Sequence, residues 1–256
     1  MARFLNLLSY SGIFLFSLLR LSATESDSPV KERSWSIVAT GVANIPVSAS
    51  MRGTPAEFRA EIAKDYTNTK YPFASPEYAI GWSAKLLYAL PSSAHTDLFL
   101  GLNGNFIAAS ESTRQDRAFM AVWGVNFGAE YSLLPRWNTL NLYGRAGVSA
   151  QFITGFTNYS YGFGMFRTNV PVAGRLGIEA ELGGRWLIPS TPIALELSGG
   201  YVYANLIGKS YENPMTIPKN DLYERQLNDG ANPNNPDDKS RIIDFASIRL
   251  GGRIWF

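Results

Sequence analysis

Apolar and polar residues alternate with a period of two along most of the chain after residue 34. Successive side chains of a β-strand point to opposite faces, so this pattern predicts strands that each have one apolar face. It is clearest in the sixth segment, where Leu176 and Ile178 alternate with Arg175 and Glu179. Eight strands are predicted in all: Trp35–Pro46, Glu77–Leu90, Asp97–Ala109, Ala118–Leu133, Leu140–Ile153, Val172–Ile188, Ile193–Leu206 and Ile242–Phe256.

The connections between these segments alternate in length. Those after the second, fourth and sixth strands are short and each contains proline, which is typical of tight turns. The short connections are 91–96, 134–139 and 189–192, and the others are 47–76, 110–117, 154–171 and 207–241. Short turns at one end and long loops at the other are typical of outer-membrane barrels, and an even strand number returns both termini to the short-turn end.

Composition narrows the fold class. Of the 256 residues 46% are hydrophobic and only 17% are charged, against about 25% charged in a typical soluble domain. The chain has no cysteine, which excludes disulfides and cysteine-based metal sites or nucleophiles. No run of 18 or more apolar residues follows the N-terminal segment, which argues against a helical membrane protein. The sequence therefore predicts an all-β protein, an eight-stranded antiparallel transmembrane β-barrel with short periplasmic turns and long extracellular loops.

The N-terminal segment has the features of a secretory signal peptide. Arg3 precedes an apolar stretch that is densest at Ile13–Leu19, and cleavage is predicted after the small residue Ala23. A retained N-terminal anchor is the alternative. Residues 1–23 are thus predicted as signal peptide, 24–34 as a periplasmic tail and 35–256 as the barrel. Removing residues 1–23 leaves equal numbers of basic and acidic side chains, and no basic stripe indicates nucleic-acid binding.

Aromatic residues lie near both ends of the predicted apolar faces. Two such belts are typical of the two water–lipid interfaces. The belt at the short-turn end consists of Trp35, Tyr88, Tyr131, Trp186 and Phe256, and the belt at the long-loop end of Tyr78, Phe106, Phe119, Phe152 and Tyr203.

With these features the chain resembles the small bacterial outer-membrane barrels of the OmpA-transmembrane-domain and OmpX kind. Its last residues include Ile254 and Phe256, a terminal aromatic with an apolar residue at the alternate position, which resembles the signal read by the barrel-assembly machinery. The resemblance implies a bacterial outer-membrane location. It also implies three partners: the assembly machinery, outer-membrane lipid and lipopolysaccharide.

Charged residues fall on the polar faces, which point into the lumen of a membrane barrel. The interior of an eight-stranded barrel is just filled by side chains, and buried charges must be paired. A salt-bridge network is therefore predicted from Lys85, Glu130, Arg145, Arg175, Glu179, Glu181, Arg185, Glu196, Arg249 and Arg253. This network is either a structural plug or a gate whose rearrangement opens a thin anion-preferring path.

Enzymatic barrels of the lipid A deacylase, phospholipase, omptin and lipid A palmitoyltransferase types rely on a histidine. The one histidine here, His95, lies in the turn 91–96 on the predicted periplasmic side. We therefore predict no catalytic site, no metal and no cofactor.

Three connections carry further hypotheses. In the first, Phe58 and Ile62 are four residues apart within 55–64, which predicts a short rim helix. The fourth, 207–241, is a flexible polar segment without EF-hand spacing. The third is rich in aromatic residues that either form a binding surface or pack on the rim or on lipopolysaccharide, namely Phe156, Tyr159, Tyr161, Phe163 and Phe166.

Three functions remain open at this point. The leading hypothesis is a non-enzymatic surface barrel that stabilises the envelope or makes contacts through its loops, including contact with an extracellular ligand. The second is a narrow channel or small-molecule conduit. The third is a secreted soluble barrel that binds an apolar ligand inside, as lipocalins do, which would require charges outside and apolar residues inside.

Overall fold

The computed structural model describes residues 33–53, 71–111, 116–161, 164–211, 227–235 and 239–256. The predicted signal peptide and rim helix lie outside these residues.

Eight strands form one closed antiparallel barrel in which each strand pairs with its sequence neighbours and the last pairs with the first. The strands are β1 (Trp35–Pro46), β2 (Tyr78–Ala89), β3 (Thr96–Glu111), β4 (Asp116–Ser132), β5 (Leu140–Tyr161), β6 (Gly164–Leu187), β7 (Ile193–Ile207) and β8 (Asp244–Trp255). Within the described ranges no helix is long and apolar enough to cross a membrane.

The barrel closes where the ends of β1 and β8 meet. The Phe256 N–H donates to the Trp35 carbonyl at 2.9 Å, and Gly41 pairs with Leu250 further along the two strands. Trp35 also pairs with Tyr88 at the start of the β2–β3 turn. The β1 start and the β8 end therefore lie at the short-turn end, which we call the lower end, as the even strand number predicts.

The third predicted loop is wrong over most of its length. Residues 154–171 were expected between the strands, but β5 continues to Tyr161 and β6 begins at Gly164. The cross-strand pairs continue, with Phe156 opposite Asn169. Threonine, tyrosine, phenylalanine and valine favour a pleated surface, so this part of the chain extends the two strands. The predicted connection 110–117 is shortened in the same way.

Burial alternates along the strands as the periodicity predicts, and it is strict in β1. The outward side chains are mostly apolar and exposed, including Leu182 at 76% and Leu250 at 66%. A water-soluble monomer rarely exposes contiguous apolar area on this scale, whereas a lipid-facing surface requires it. The charged side chains in the lower and middle parts of the strands point inward, so the lipocalin-like alternative, which needs the opposite orientation, is wrong.

The inward side chains form three layers along the barrel axis. The lower layer is charged, and the middle layer consists mainly of side-chain amides, hydroxyls and glycines. The upper layer, towards the β1–β2 and β7–β8 connections, is apolar. These layers define the chemistry of the lumen.

Candidate functional site

Arg145 lies at the centre of the lower layer and contacts three carboxylates. Its Nε lies 2.6 Å from Glu130, its Nη1 2.8 Å from Glu181 and its Nη2 2.6 Å from Glu196. Strand register brings these groups together, because Glu130 pairs with Arg145 and Arg145 with Glu181 across β4, β5 and β6. All four side chains are almost completely buried. A guanidinium satisfied on three sides is a fixed cross-link between four strands.

Glu130 extends the network towards the lower end. Besides Arg145 it accepts hydrogen bonds from Arg185 at 3.1 Å and Arg253 at 2.6 Å. Arg253 also contacts Asp97, which pairs with Arg136 at 3.2 Å. One carboxylate thus contacts three guanidiniums, and its neighbour Asp97 joins the network to the β4–β5 turn.

On the opposite side Lys85 and Arg249 complete the lower layer. The Lys85 Nζ donates a hydrogen bond to Glu181 at 3.1 Å and lies 3.1 Å from Glu179. Arg249 contacts Glu181 at 2.9 Å. The connected set, which we call the lower network, consists of Lys85, Asp97, Glu130, Arg136, Arg145, Glu179, Glu181, Arg185, Glu196, Arg249 and Arg253.

Two members of the lower network were missed from the sequence. Asp97 shares its strand parity with the inward Asn103 and Asn105, so the alternation alone could have assigned it to the lumen. Arg136 lies in the β4–β5 turn, where strand alternation gives no information. It reaches inward because its Nη2 also donates to the Ser93 carbonyl at 2.6 Å, across the end of the barrel.

Arg175 is the one predicted member that lies outside the lower network. Its Nε and Nη2 donate to Asp229 at 2.9 and 2.8 Å, in the β7–β8 connection. The alternation along β6 predicts that Arg175 faces the lumen, but it does not predict which residue Arg175 contacts there. At about 3.3 Å per residue, Arg175 lies roughly 13 Å higher along β6 than Glu179. There it holds a connecting segment inside the barrel mouth.

Aromatic rings cover the lower network. The Arg145 guanidinium lies 4.2 Å from the centre of the Tyr143 ring. Trp255, only 1% exposed, lies beneath Arg253 and Arg185, with guanidinium-to-ring distances of 4.7 and 5.4 Å. These cation–π contacts retain the charge of the guanidiniums while excluding water from one side.

The middle layer carries side-chain amides that lack protein partners. Among the described residues, neither polar atom of the Asn103 or Asn126 side chain has a hydrogen-bond partner, although both residues are buried. Glycines make room for them: a Cβ at Gly124 would lie 2.5 Å from the Asn103 Oδ1, and one at Gly101 2.4 Å from the Asn126 Oδ1. These amides keep hydrogen-bonding capacity for water or a polar solute.

The upper layer is closed by residues from the connections. Met51 and Phe73 from the β1–β2 connection, and Leu227 from the β7–β8 connection, are almost fully buried among inward strand residues. Burial raises the pKa of the neighbouring Tyr71 hydroxyl above its usual range. This cluster, which we call the apolar plug, consists of Met51, Phe73, Ile107, Ala109, Ala118, Met120, Val122, Ile153, Val202, Ala204, Leu227, Ile243 and Phe245.

His95 is occupied by structural contacts. Its Nδ1 lies 2.9 Å from the Ser132 carbonyl oxygen, and its ring stacks on Tyr131 with centroids 5.8 Å apart. The nearby Ser93 hydroxyl accepts a hydrogen bond from the His95 backbone N–H rather than facing the ring. No group of three or more histidine, aspartate or glutamate residues in the described part of the chain could hold a metal ion.

The aromatic side chains predicted as girdles all lie at least partly exposed on the outer wall. Trp35 and Tyr88 contact each other at the lower end, with centroids 4.8 Å apart, and Phe119 stacks on Phe156 at the upper end. The side chains of Ile254 and Phe256 are about half exposed on the same wall. The predicted girdle residues are Trp35, Tyr78, Tyr88, Phe106, Phe119, Tyr131, Phe152, Trp186, Tyr203 and Phe256.

No family model and no curated protein sequence matches the chain. Solved structures of small outer-membrane barrels are similar to it in fold. Neisserial surface protein A shares 9% identity over 87% of this chain and 97% of its own, with a TM-score of 0.44. Ail of Yersinia pestis, in complex with the heparin analogue sucrose octasulfate, shares 12% over 87% and 97%, with a TM-score of 0.39. The N-terminal barrel domain of Pseudomonas aeruginosa OprF shares 10% over 86% and 97%, with a TM-score of 0.37.

Proposed function

We propose that the mature protein is a non-enzymatic barrel of the bacterial outer membrane, exported by its N-terminal signal peptide. Its lumen is closed, and its function lies at the surface, in stabilising the envelope or in contacts made at the extracellular end. The exposed apolar wall supports insertion in lipid. The occupied His95 supports a role without histidine-based catalysis.

The observation that carries this proposal is the arrangement around Arg145. Its three carboxylate partners come from β4, β6 and β7, at 2.6 to 2.8 Å. Breaking a buried pair by removing one partner costs about 3–5 kcal/mol. Opening a path through this layer would require several such pairs to separate together, so the plug interpretation of the network is favoured over the gate.

The partners follow from the same surfaces. The outward wall fits outer-membrane lipid and lipopolysaccharide. The exposed Ile254 and Phe256 side chains fit recognition by the barrel-assembly machinery. The upper end, where the connections emerge, is where an extracellular ligand would bind.

Planar-bilayer conductance of the refolded mature protein tests the closed lumen. Folding is verified first by the heat-dependent gel shift of intact barrels. We expect no current from the wild type, from Arg185→Ala or from Glu181→Ala, because the apolar plug still closes the upper end. Reproducible small steps from the folded wild type would contradict the proposal.

The narrow conduit remains the second candidate, and the middle layer is the observation that favours it. The unpaired amides of Asn103 and Asn126 offer a polar path between the two closures. Conduction would require both closures to open. The lower network has six basic and five acidic side chains, so the currents of a conduit would prefer anions.

A further inference from the structure

A basic row and an aromatic row lie side by side on the outer wall at the upper end. Register places Arg117, Asn158 and Arg167 opposite one another across β4, β5 and β6. Two residues closer to the membrane belt, Phe119 and Phe156 form the corresponding row. Both arginines are exposed. Cations thus lie immediately above the upper aromatic girdle.

A groove lies at a bulge in the β5–β6 pairing, bordered by the aromatic row and by Arg167. The β5–β6 register shifts between Ile153 and Gly155, and the Thr154 hydroxyl donates to the Val170 carbonyl at 2.8 Å. Pro171, which has no N–H to contribute to the ladder, lies at the same place. The resulting groove has a volume of about 360 Å³, and its lining includes Phe119, Thr154, Phe156, Arg167, Val170 and Pro171.

Arg167 is fixed over one wall of the groove. Its guanidinium lies 4.3 Å from the centre of the Phe156 ring, and its Nε donates to the Asn169 Oδ1 at 2.9 Å. That hydrogen bond uses one of the five N–H donors of a guanidinium. A planar, oriented guanidinium with further donors is suited to a phosphate oxygen pair.

The surroundings favour a lipid over a soluble anion. Below the groove the wall continues into the apolar belt through Val172, 67% exposed, and Phe152, 44% exposed. A ligand that fills the groove therefore meets aromatic and aliphatic surface on the membrane side and arginine on the water side. A free anion would use only the second. On β3, opposite Arg117, the Ser110 hydroxyl donates to the exposed Glu77 carboxylate at 3.1 Å, so this carboxylate lies on the side of Arg117 away from Arg167.

We propose that this groove binds the phosphorylated headgroup of an outer-leaflet lipid. The phosphate lies at Arg167, with Arg117 adding positive charge, and the apolar part of the lipid packs on Phe119 and Phe156. This inference rests on one part of the proposed function, namely that the barrel spans the outer membrane. Beyond that function, it assigns a lipid ligand to specific contact residues.

The test compares thermal unfolding of the mature protein in phosphatidylcholine vesicles with and without lipid A. A ligand that binds only the folded barrel raises its unfolding temperature. We expect lipid A to stabilise the wild type and Arg167→Gln to weaken its apparent affinity roughly tenfold. Phe156→Ala should weaken it as well, while Arg52→Gln, which removes an exposed arginine elsewhere at the upper end, should not.

Three results would overturn the inference. Equal stabilisation of wild type and Arg167→Gln by lipid A would exclude the assigned phosphate site. Equal stabilisation by inorganic phosphate would identify a free-anion site instead of a lipid site. An equal loss in Arg52→Gln would indicate diffuse attraction. Failure of the wild type to insert into pure phosphatidylcholine vesicles would instead contradict the proposed membrane function.

Discussion

The two halves of the lumen are closed by different physical means. In the lower half, strand residues such as Arg145 and Glu130 close the barrel with ion pairs between strands. In the upper half, Phe73 and Leu227 from the connections pack against inward apolar residues. The lower closure is therefore part of the barrel wall. The upper closure depends on segments that fold into the barrel mouth, so the two halves should respond differently to substitution.

The largest expected effect comes from removing the carboxylate that three guanidiniums share. Glu130→Gln keeps the size of the side chain but removes the carboxylate that lies within 3.1 Å of Arg145, Arg185 and Arg253. Glu196 then contacts Arg185 and Arg253 only at the longer distances of 3.8 and 3.9 Å. We expect the free energy of unfolding to fall by about 3–5 kcal/mol. Urea unfolding from lipid vesicles, followed by tryptophan fluorescence, measures this.

The matched control is Glu179→Gln. Among the described residues Glu179 forms an ion pair only with Lys85, which keeps its hydrogen bond to Glu181. A loss of about 1 kcal/mol is expected there. Equal losses in both variants would mean that Glu130, although it contacts three guanidiniums, contributes no more to the free energy of unfolding than Glu179 does.

In the upper half the corresponding test removes apolar volume. Ile107 is completely buried in the apolar plug, so Ile107→Ala should lower the free energy of unfolding by about 2–5 kcal/mol. Leu100→Ala on the same strand is the control: Leu100 is 56% exposed on the outer wall, where lipid can fill the space. The same urea titration compares them. A larger loss for Leu100→Ala would contradict the assignment of the two faces.

The strands and the lower network could be predicted because both depend on alternation. β1 has the predicted bounds, since every second residue of Trp35–Pro46 is buried. Nine of the ten predicted lumen charges lie in the lower network, because parity within a strand decides which face a side chain occupies. Parity does not give partners, and for that reason Arg175 was grouped with charges that it does not contact.

The apolar plug was not predicted because inward positions were expected to be polar. A signal was present: Phe106-Ile107 and Phe152-Ile153 are apolar at consecutive positions, so both faces are apolar there. Met51, Phe73 and Leu227 have no such signal. They lie outside the strands, and only the three-dimensional path of the connections brings them into the lumen.

A smaller effect is expected where a connection is held inside the mouth. Asp229 accepts hydrogen bonds from Arg175, from the Asn205 amide at 2.8 Å and from the Ser210 N–H at 3.0 Å. Asp229→Asn should cost about 1–3 kcal/mol locally and release the β7–β8 connection without unfolding the barrel. Limited proteolysis should then cleave this connection faster while the heat-dependent gel shift is retained. Lys239→Ala, which changes an exposed residue in the same connection, should not alter the rate of cleavage. Loss of the gel shift in Asp229→Asn would contradict the prediction, because it would show that the barrel unfolds when the β7–β8 connection is released.

The smallest effect should come from the edge of the lower network. Arg136 lies in a turn, and its one ion pair among the described residues is with Asp97, which Arg253 also contacts. Arg136→Gln therefore leaves no carboxylate without a cation, and a loss of about 1 kcal/mol is expected. Because salt screens charges near water more than buried ones, this loss should shrink at high salt while that of Glu130→Gln stays constant. Urea titrations of both variants at low and high salt measure the difference. The same salt dependence in both would mean that water reaches Glu130, and that the lower half of the lumen is not closed.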